Sequence, residues 1–241
     1  SITTCYDANN NLSDATNEIL AEEMKFIIET DQGEEVLKGG KVRILKQNQT
    51  NITWCSEQSN SRFQVSCNGD FGFDGISNIS IQVKAKQHVS VKDIRLEVPY
   101  SSYASKYMMG LGHKGGFRPD SLISWNWDIE KHQDKIWMGN VNAGMNLRFM
   151  DDHFVRPLVN IYYALGKLNL PESWGNQNKG GINIYPTTHG TTKLVAYSGK
   201  RSMEKGEKLS YNFDMQITPV KPINWKKQVT NRFYHSNSDL S

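Results

Sequence analysis

The stretch "KLSYNFDMQI", residues 208–217, sets the fold class. Leu209, Tyr211, Phe213, Met215 and Ile217 fall on one side of an extended chain, and Lys208, Ser210, Asn212, Asp214 and Gln216 fall on the other. Ten residues of period two are incompatible with a helix, whose apolar stripe recurs near 3.6, and describe a strand with one buried face. The same alternation recurs in "RFQVSC" (62–67), "ISIQVK" (79–84), "DIRLEV" (93–98), "GMNLRFM" (144–150) and "INIY" (182–185). It is weaker in "EMKFIIE" (23–29), "KVRILK" (41–46), "LVNIYY" (158–163) and "TKLVAYS" (192–198). Gly-rich turns such as "GDFGFDG" (69–75) and "YSGKRSMEKGEK" (197–208) separate these runs at antiparallel spacing. The expected fold is all-β, a two-sheet antiparallel sandwich of supersandwich type.

Helix signal is confined to "SDATNEILAEEM" (13–24), where Ser13 is a possible cap, and it runs straight into a strand-like segment. A loop or one short helix is expected there. No fixed-period repeat is present, which excludes propellers and solenoids. After Ile217 the alternation stops, and "TPVKPINWKKQVTNRFYHSNSDLS" has two prolines and a basic cluster. One domain is therefore expected over 1–217, with a linker over 218–241.

The 241 residues suffice for one large β domain. Lys and Arg number 28 against 25 Asp and Glu, without a run of like charge, so a nucleic-acid partner is not expected. No apolar run reaches the ~18 residues of a spanning helix. No charged-then-apolar leader opens the sequence, so a mature or trimmed chain is expected. Cys5, Cys55 and Cys67 lack metal or redox spacing. Cys55 and Cys67 are either a bridge between neighbouring strands or free thiols. The triplets starting at Asn11, Asn48, Asn51 and Asn78 fit the glycosylation pattern, which an Asn-rich chain also produces by chance.

Residues 100–144 differ in texture, with Gly110, Gly112, Gly115 and Gly116, the Arg118-Pro119 pair, and Trp125, Trp127 and Trp137 close together. Long Gly/Trp-rich loops are expected, ordered by their aromatic content. Glycines permit close backbone approach, and indoles offer flat apolar faces beside a polar tip. A pyranose wants such faces, with hydroxyl partners that Arg118, Asp128, Asn140 and Asn142 can supply. These seven residues are the candidate carbohydrate-binding or domain-interface set. The plainer alternative is that the indoles fill the core, since tryptophan is highly buried on average.

Three segments, "DIRLEVPYSSYASKYMMGLGHKGGFRPDSLISWNWD" (93–128), "DKIWMGNVNAGMNLRF" (134–149) and "TPVKPINWKKQVTNRFYH" (218–235), resemble the N-terminal β-sandwich of bacterial proteins related to glycoside hydrolase family 123. Those relatives include β-N-acetylgalactosaminidases. The resemblance implies a following (β/α)8 barrel with a neighbouring Asp and Glu that assist attack by the substrate's own acetamido group. It also implies a periplasmic or extracellular location. The present sequence ends where the resemblance would begin the barrel.

Catalytic signatures are sparse. No Asp-Glu dipeptide occurs, and Asp128 with Glu130 or Asp134 reads as solvated surface carboxylates. There is no GxSxG elbow, and His88, His113, His132, His153, His189 and His235 are scattered. In "MDDHF", Asp151, Asp152 and His153 are consecutive, so an extended chain cannot turn all three to one metal ion. "GHKGG" lacks the Gly-Lys-Ser/Thr ending of a phosphate loop. No cofactor or metal is expected. The expected role is a non-catalytic sandwich bracing a catalytic barrel of the same polypeptide and contributing to its sugar site. The rivals are a stand-alone carbohydrate-binding module on the 108–144 loops and a free-standing enzyme sited in those loops.

Overall fold

The computed structural model describes residues 18–131, 133–154, 169–188, 190–219 and 225–230. They form two antiparallel sheets. The first runs β11 (Ile123–Asn126), β14 (Gly181–Pro186), β15 (Thr192–Tyr197), β8 (Val89–Tyr100), β1 (Lys25–Thr30) and β2 (Gly33–Glu34), with β16 (Arg201–Met203) also paired to β8. The second runs β10 (His113–Phe117), β9 (Tyr107–Gly110), β12 (Lys135–Gly139), β13 (Gly144–Met150), β17 (Lys208–Thr218), β7 (Ile76–Ala85), β6 (Phe63–Gly72), β5 (Asn51–Ser59) and β3 (Lys38–Gly39), with β4 (Arg43–Gln47) on the other part of β5. The two-sheet antiparallel sandwich is as the alternation predicts.

Residues opposed across an antiparallel pair share a face, so the register sorts side chains into rows. Trp54, Gly69, Ile79, Phe213 and Phe149 form one row facing the other sheet. Thr53, Asp70, Asn78, Asp214 and Arg148 form the next, on the outer face. A chain of edge-on aromatic rings crosses the core: Phe26 to Tyr211 at 5.5 Å, Tyr211 to Trp174 at 4.8 Å, Trp174 to Phe149 at 5.1 Å, and Phe149 to Trp127 at 6.2 Å. Trp174 lies on the single-turn helix α1 (Glu172–Gly175) and donates its indole N–H to the Asn212 carbonyl at 3.0 Å. That bond satisfies its polar tip within an apolar setting.

Outside the first sheet, Arg95 is nearly enclosed by carboxylates, reaching Glu29 at 2.7 Å, Glu34 at 2.7 Å and Glu97 at 2.9 Å. Lys193 meets Glu97 from the other side at 2.9 Å. Burial pushes the Glu97 carboxyl upward, and the bonds and charges of Lys193 and Arg95 more than reverse it, leaving it below the ordinary value. Cys55 opposes Asn68 and Cys67 opposes Ser56, so the two thiols point to opposite faces of the sheet and both are free. Burial pushes the Cys67 thiol up to about 11.

The Ser13 segment, expected as a loop or one short helix, is non-helical over its described part, and Leu20 makes a bridge to Tyr100. One expectation shifts. The Gly/Trp-rich stretch, expected as long loops, carries four short strands, β9, β10, β11 and β12, between its turns. Strands are possible there because glycine tolerates the required contacts. At Gly110 φ is +111°, and a side-chain carbon would sit 2.4 Å from the Lys135 carbonyl oxygen of the neighbouring strand. The strand candidate at 158–163, Cys5, His132, His189, His235 and most of the linker at 218–241 lie outside the described residues; within that linker 225–230 is a helical turn and a half, α2 (Trp225–Thr230).

Candidate functional site

The segment 100–144 weaves between the sheets. β9, β10 and β12 edge the larger sheet, and β11 crosses to pair with β14 in the smaller one. That crossing decides the fate of the predicted residues. In "ISWNWD" Ile123, Trp125 and Trp127 alternate with Ser124, Asn126 and Asp128, and the apolar three turn inward. Trp125 and Trp127 are only 6% and 5% exposed and belong to the central core. Lys131 Nζ covers the Trp125 ring at 4.8 Å from its centroid. Both indoles therefore pack within this domain, the plainer of the two placements the sequence allows.

The polar candidates are committed to local structure. Arg118 gives its Nε–H to the Ser105 carbonyl at 2.9 Å and an Nη1–H to the Pro119 carbonyl at 2.5 Å, fastening the connection from β10 to β11. Asp128 accepts the Glu130 amide at 3.0 Å and pairs with Lys131 at 3.7 Å, starting a short 3-10 turn. Asn140 closes the β12–β13 hairpin: its Oδ1 accepts the amides of Asn142 at 2.7 Å and Ala143 at 2.9 Å, and its Nδ2 donates to the Tyr103 carbonyl at 2.7 Å. Asn142 is half-buried in that turn, its amide engaged by Asn140.

Trp137 alone among the three indoles reaches the surface. It lies on the outer face, where side-chain carbons on Gly139 or Gly144 would come within 2.5 Å of its ring, and its N–H donates to Thr218 Oγ1 at 2.8 Å. Glycine at those two positions lets the indole lie flat on the sheet. By register Trp137 opposes Met109, Gly139 opposes Tyr107, and Tyr107 opposes Phe117. Trp137, Met109, Tyr107 and Phe117 therefore share one outer face at the β10 edge. Tyr107 and Phe117 stack at 5.0 Å, with Lys106 Nζ 5.8 Å above the Phe117 ring. Phe117 is 72% exposed, and Val141, at the hairpin tip beside the same row, is 84% exposed. Met109, Phe117 and Val141 escaped the sequence reading because an exposed apolar residue has no distinguishing pattern until the register groups several on one face.

Asp134, expected as a solvated surface carboxylate, is buried. Asp151 is buried and receives the amides of His153 at 2.9 Å and Ser173 at 3.3 Å. Burial raises the Asp93 carboxyl above its ordinary value, against the lowering effect of amides from Gly199 at 2.7 Å and Ser198 at 3.0 Å, and it holds a turn of the smaller sheet. Among the described residues no three His, Cys, Asp or Glu side chains converge as a metal site.

Comparison with known families gives one match: the description "glycoside hydrolase 123, third domain" covers residues 1–219. The chain belongs to this family. The family places the sandwich third where the resemblance pointed to an N-terminal domain, and a third domain implies other domains in the same polypeptide. None of the curated proteins compared with it matches. Among solved structures, the chain is similar to the galactose mutarotase related enzyme of Lactobacillus acidophilus, at 6% identity and TM-score 0.41, over 75% of this chain and 72% of that one. It is also similar to a mutant of heparan sulfate lyase HepC from Pedobacter heparinus, at 6% identity and TM-score 0.40, over 84% of this chain and 24% of that one. No described helix is long and apolar enough to cross a membrane.

Proposed function

We propose that this glycoside hydrolase 123 domain is a non-catalytic brace, seated by the outer face of its β10 edge against the catalytic barrel of the same polypeptide. The observation that carries this is the shared placement of Tyr107, Met109, Phe117 and Trp137 on one face of an edge beside which no further strand lies among the described residues. Such a patch, aromatic and Met-rich with a basic neighbour, has the makeup of an interface centre. The engagement of Asp93, Asp128 and Asp151 in turns supports a structural role for the domain's acids. The parent protein is proposed to act on N-acetylhexosaminides in the periplasm or outside the cell, with this domain forming one flank of the sugar site.

The test uses the double variant Met109→Ser/Phe117→Ser. In the isolated 241-residue chain it should shift stability by no more than about 0.5 kcal/mol, the usual range for exposed positions. In the full-length polypeptide it should split a joint unfolding transition into two and reduce turnover of an aryl N-acetylgalactosaminide. Unchanged unfolding and turnover in the full-length variant, or turnover by the purified isolated chain, would refute the proposal.

A further inference from the structure

A second surface lies on the same outer face, toward the opposite edge. Two adjoining depressions, of about 610 Å³ and about 390 Å³, share Asp70 and Asn78. The larger falls within the roughly 300–1,000 Å³ typical of small-ligand sites. Its floor is the outer row Asp70, Asn78, Asp214 and Arg148, and its walls are the β4–β5 turn, with Asn48 and Thr50, and the β6–β7 turn, with Phe73. Phe73 is 66% exposed.

The floor is organised in advance. Asn78 Nδ2 donates to both Asp70 carboxylate oxygens, at 3.2 and 3.3 Å, and Arg148 Nη2 pairs with the buried Asp214 carboxylate. In the adjoining row Ser80 donates to Asn212 Oδ1 at 3.0 Å, and Asn212 Nδ2 donates to Asp152 at 3.2 Å. Each carboxylate still has lone pairs, and the Arg148 guanidinium has N–H donors on Nη1 and Nη2 beyond the one given to Asp214, while its Nε–H is buried. A set of part-used donors and acceptors, fixed by one another, can take up hydroxyl groups with little reorganisation.

The charge of the lining narrows the ligand. Lys46 and Arg148 stand against Asp70, Asp74 and Asp214, two cations to three carboxylates, so a phosphate, sulfate or uronate is disfavoured. Apolar surface is limited to Phe73 and Ile76, too little for a lipid and suited to one face of a ring. We infer that this trough binds a neutral saccharide, its hydroxyls on Asp70, Asn78, Asp214 and Arg148 and an apolar ring face toward Phe73. None of these residues belongs to the Gly/Trp-rich segment, and the site does not depend on the bracing role, which is tested in the full-length protein.

The isolated chain can be titrated by calorimetry with N-acetylgalactosamine, lactose, chitobiose and cellobiose, and with glucuronate and a sulfated disaccharide as anionic controls. At least one neutral sugar should bind saturably. Asn78→Ala, at an exposed position whose loss spares the core, should weaken it by about tenfold, equivalent to ~1.4 kcal/mol, and Phe73→Ala should weaken it similarly. Leu122→Ser, at an exposed position before β11, should leave it unchanged. Absence of binding by all four neutral sugars, tighter binding of the anionic controls, or binding that survives Asn78→Ala and Phe73→Ala in variants with unchanged circular dichroism would each overturn the assignment.

Discussion

Replacing Trp125 separates a core role from a binding role by magnitude. Trp125 is buried against Ile182 of the neighbouring strand. Large-to-small changes of this kind cost about 3–5 kcal/mol through lost transfer energy and a residual cavity. Two smaller terms modify that figure. The indole N–H is buried without a hydrogen-bond partner among the described residues, so its removal relieves a penalty of about 1–3 kcal/mol. Loss of the Lys131 contact costs roughly 0.5–1 kcal/mol, because the lysine remains largely in water. Trp125→Ala should thus destabilise the isolated chain by about 3 kcal/mol, or roughly 6–12 °C in melting temperature for a domain of this size. Trp125→Phe, which keeps an apolar ring and removes the stranded N–H, should lie within ~1 kcal/mol of wild type. Urea unfolding followed by far-ultraviolet circular dichroism measures both. A Trp125→Ala variant less than ~1 kcal/mol below wild type, together with a loss of saccharide binding, would place the indole at a surface and refute the reasoning.

Three further outcomes follow from the same geometry. Gly144→Val should displace the Trp137 indole, since even the first side-chain carbon would sit 2.5 Å from the ring; a loss of about 1–3 kcal/mol and a red shift in tryptophan emission are expected. Glu97→Gln should cost ~1–2 kcal/mol at neutral pH. Because the folded carboxyl titrates below its unfolded value, wild type holds this stability above the unfolded value and loses it as pH falls through the folded one, so the two unfolding curves should converge in acid; a gap that is constant with pH would contradict the ion-pair account. Cys67, with its thiol raised to about 11, should react with iodoacetamide at pH 8 much more slowly than an unstructured cysteine, as peptide mapping would show.

The segments read as strands from their alternation, among them 62–67, 79–84, 93–98, 144–150 and 208–217, lie in β6, β7, β8, β13 and β17. The segments that were missed lacked the signal for identifiable reasons. β5 carries "NITWCSEQS", whose inward row is apolar at Ile52 and Trp54 but polar at Ser56 and Gln58, so the alternation is broken. β10 is "HKGGF", an exposed edge strand with no buried face to enforce alternation. The indole positions in β11 were legible in principle. "ISWNWD" alternates as cleanly as "KLSYNFDMQI", but it is short and set among Gly and Trp residues that break the period on either side.

The chain's own order determines which side of each strand is apolar, because successive residues of an extended chain point in opposite directions whatever the strand pairs with. That was enough to specify a sandwich and to identify one face of β17 as core. It could not determine which strands would be neighbours. β17 pairs with β7 and β13, with partners 62 to 140 residues earlier, and that pairing lines up Asp70, Asn78, Asp214 and Arg148, while the pairing of β11 with β14 sets Trp125 inward and that of β12 with β9 and β13 leaves Trp137 outside. Pairing is a contact between distant segments, selected by how well whole faces bury one another, and no local period records it.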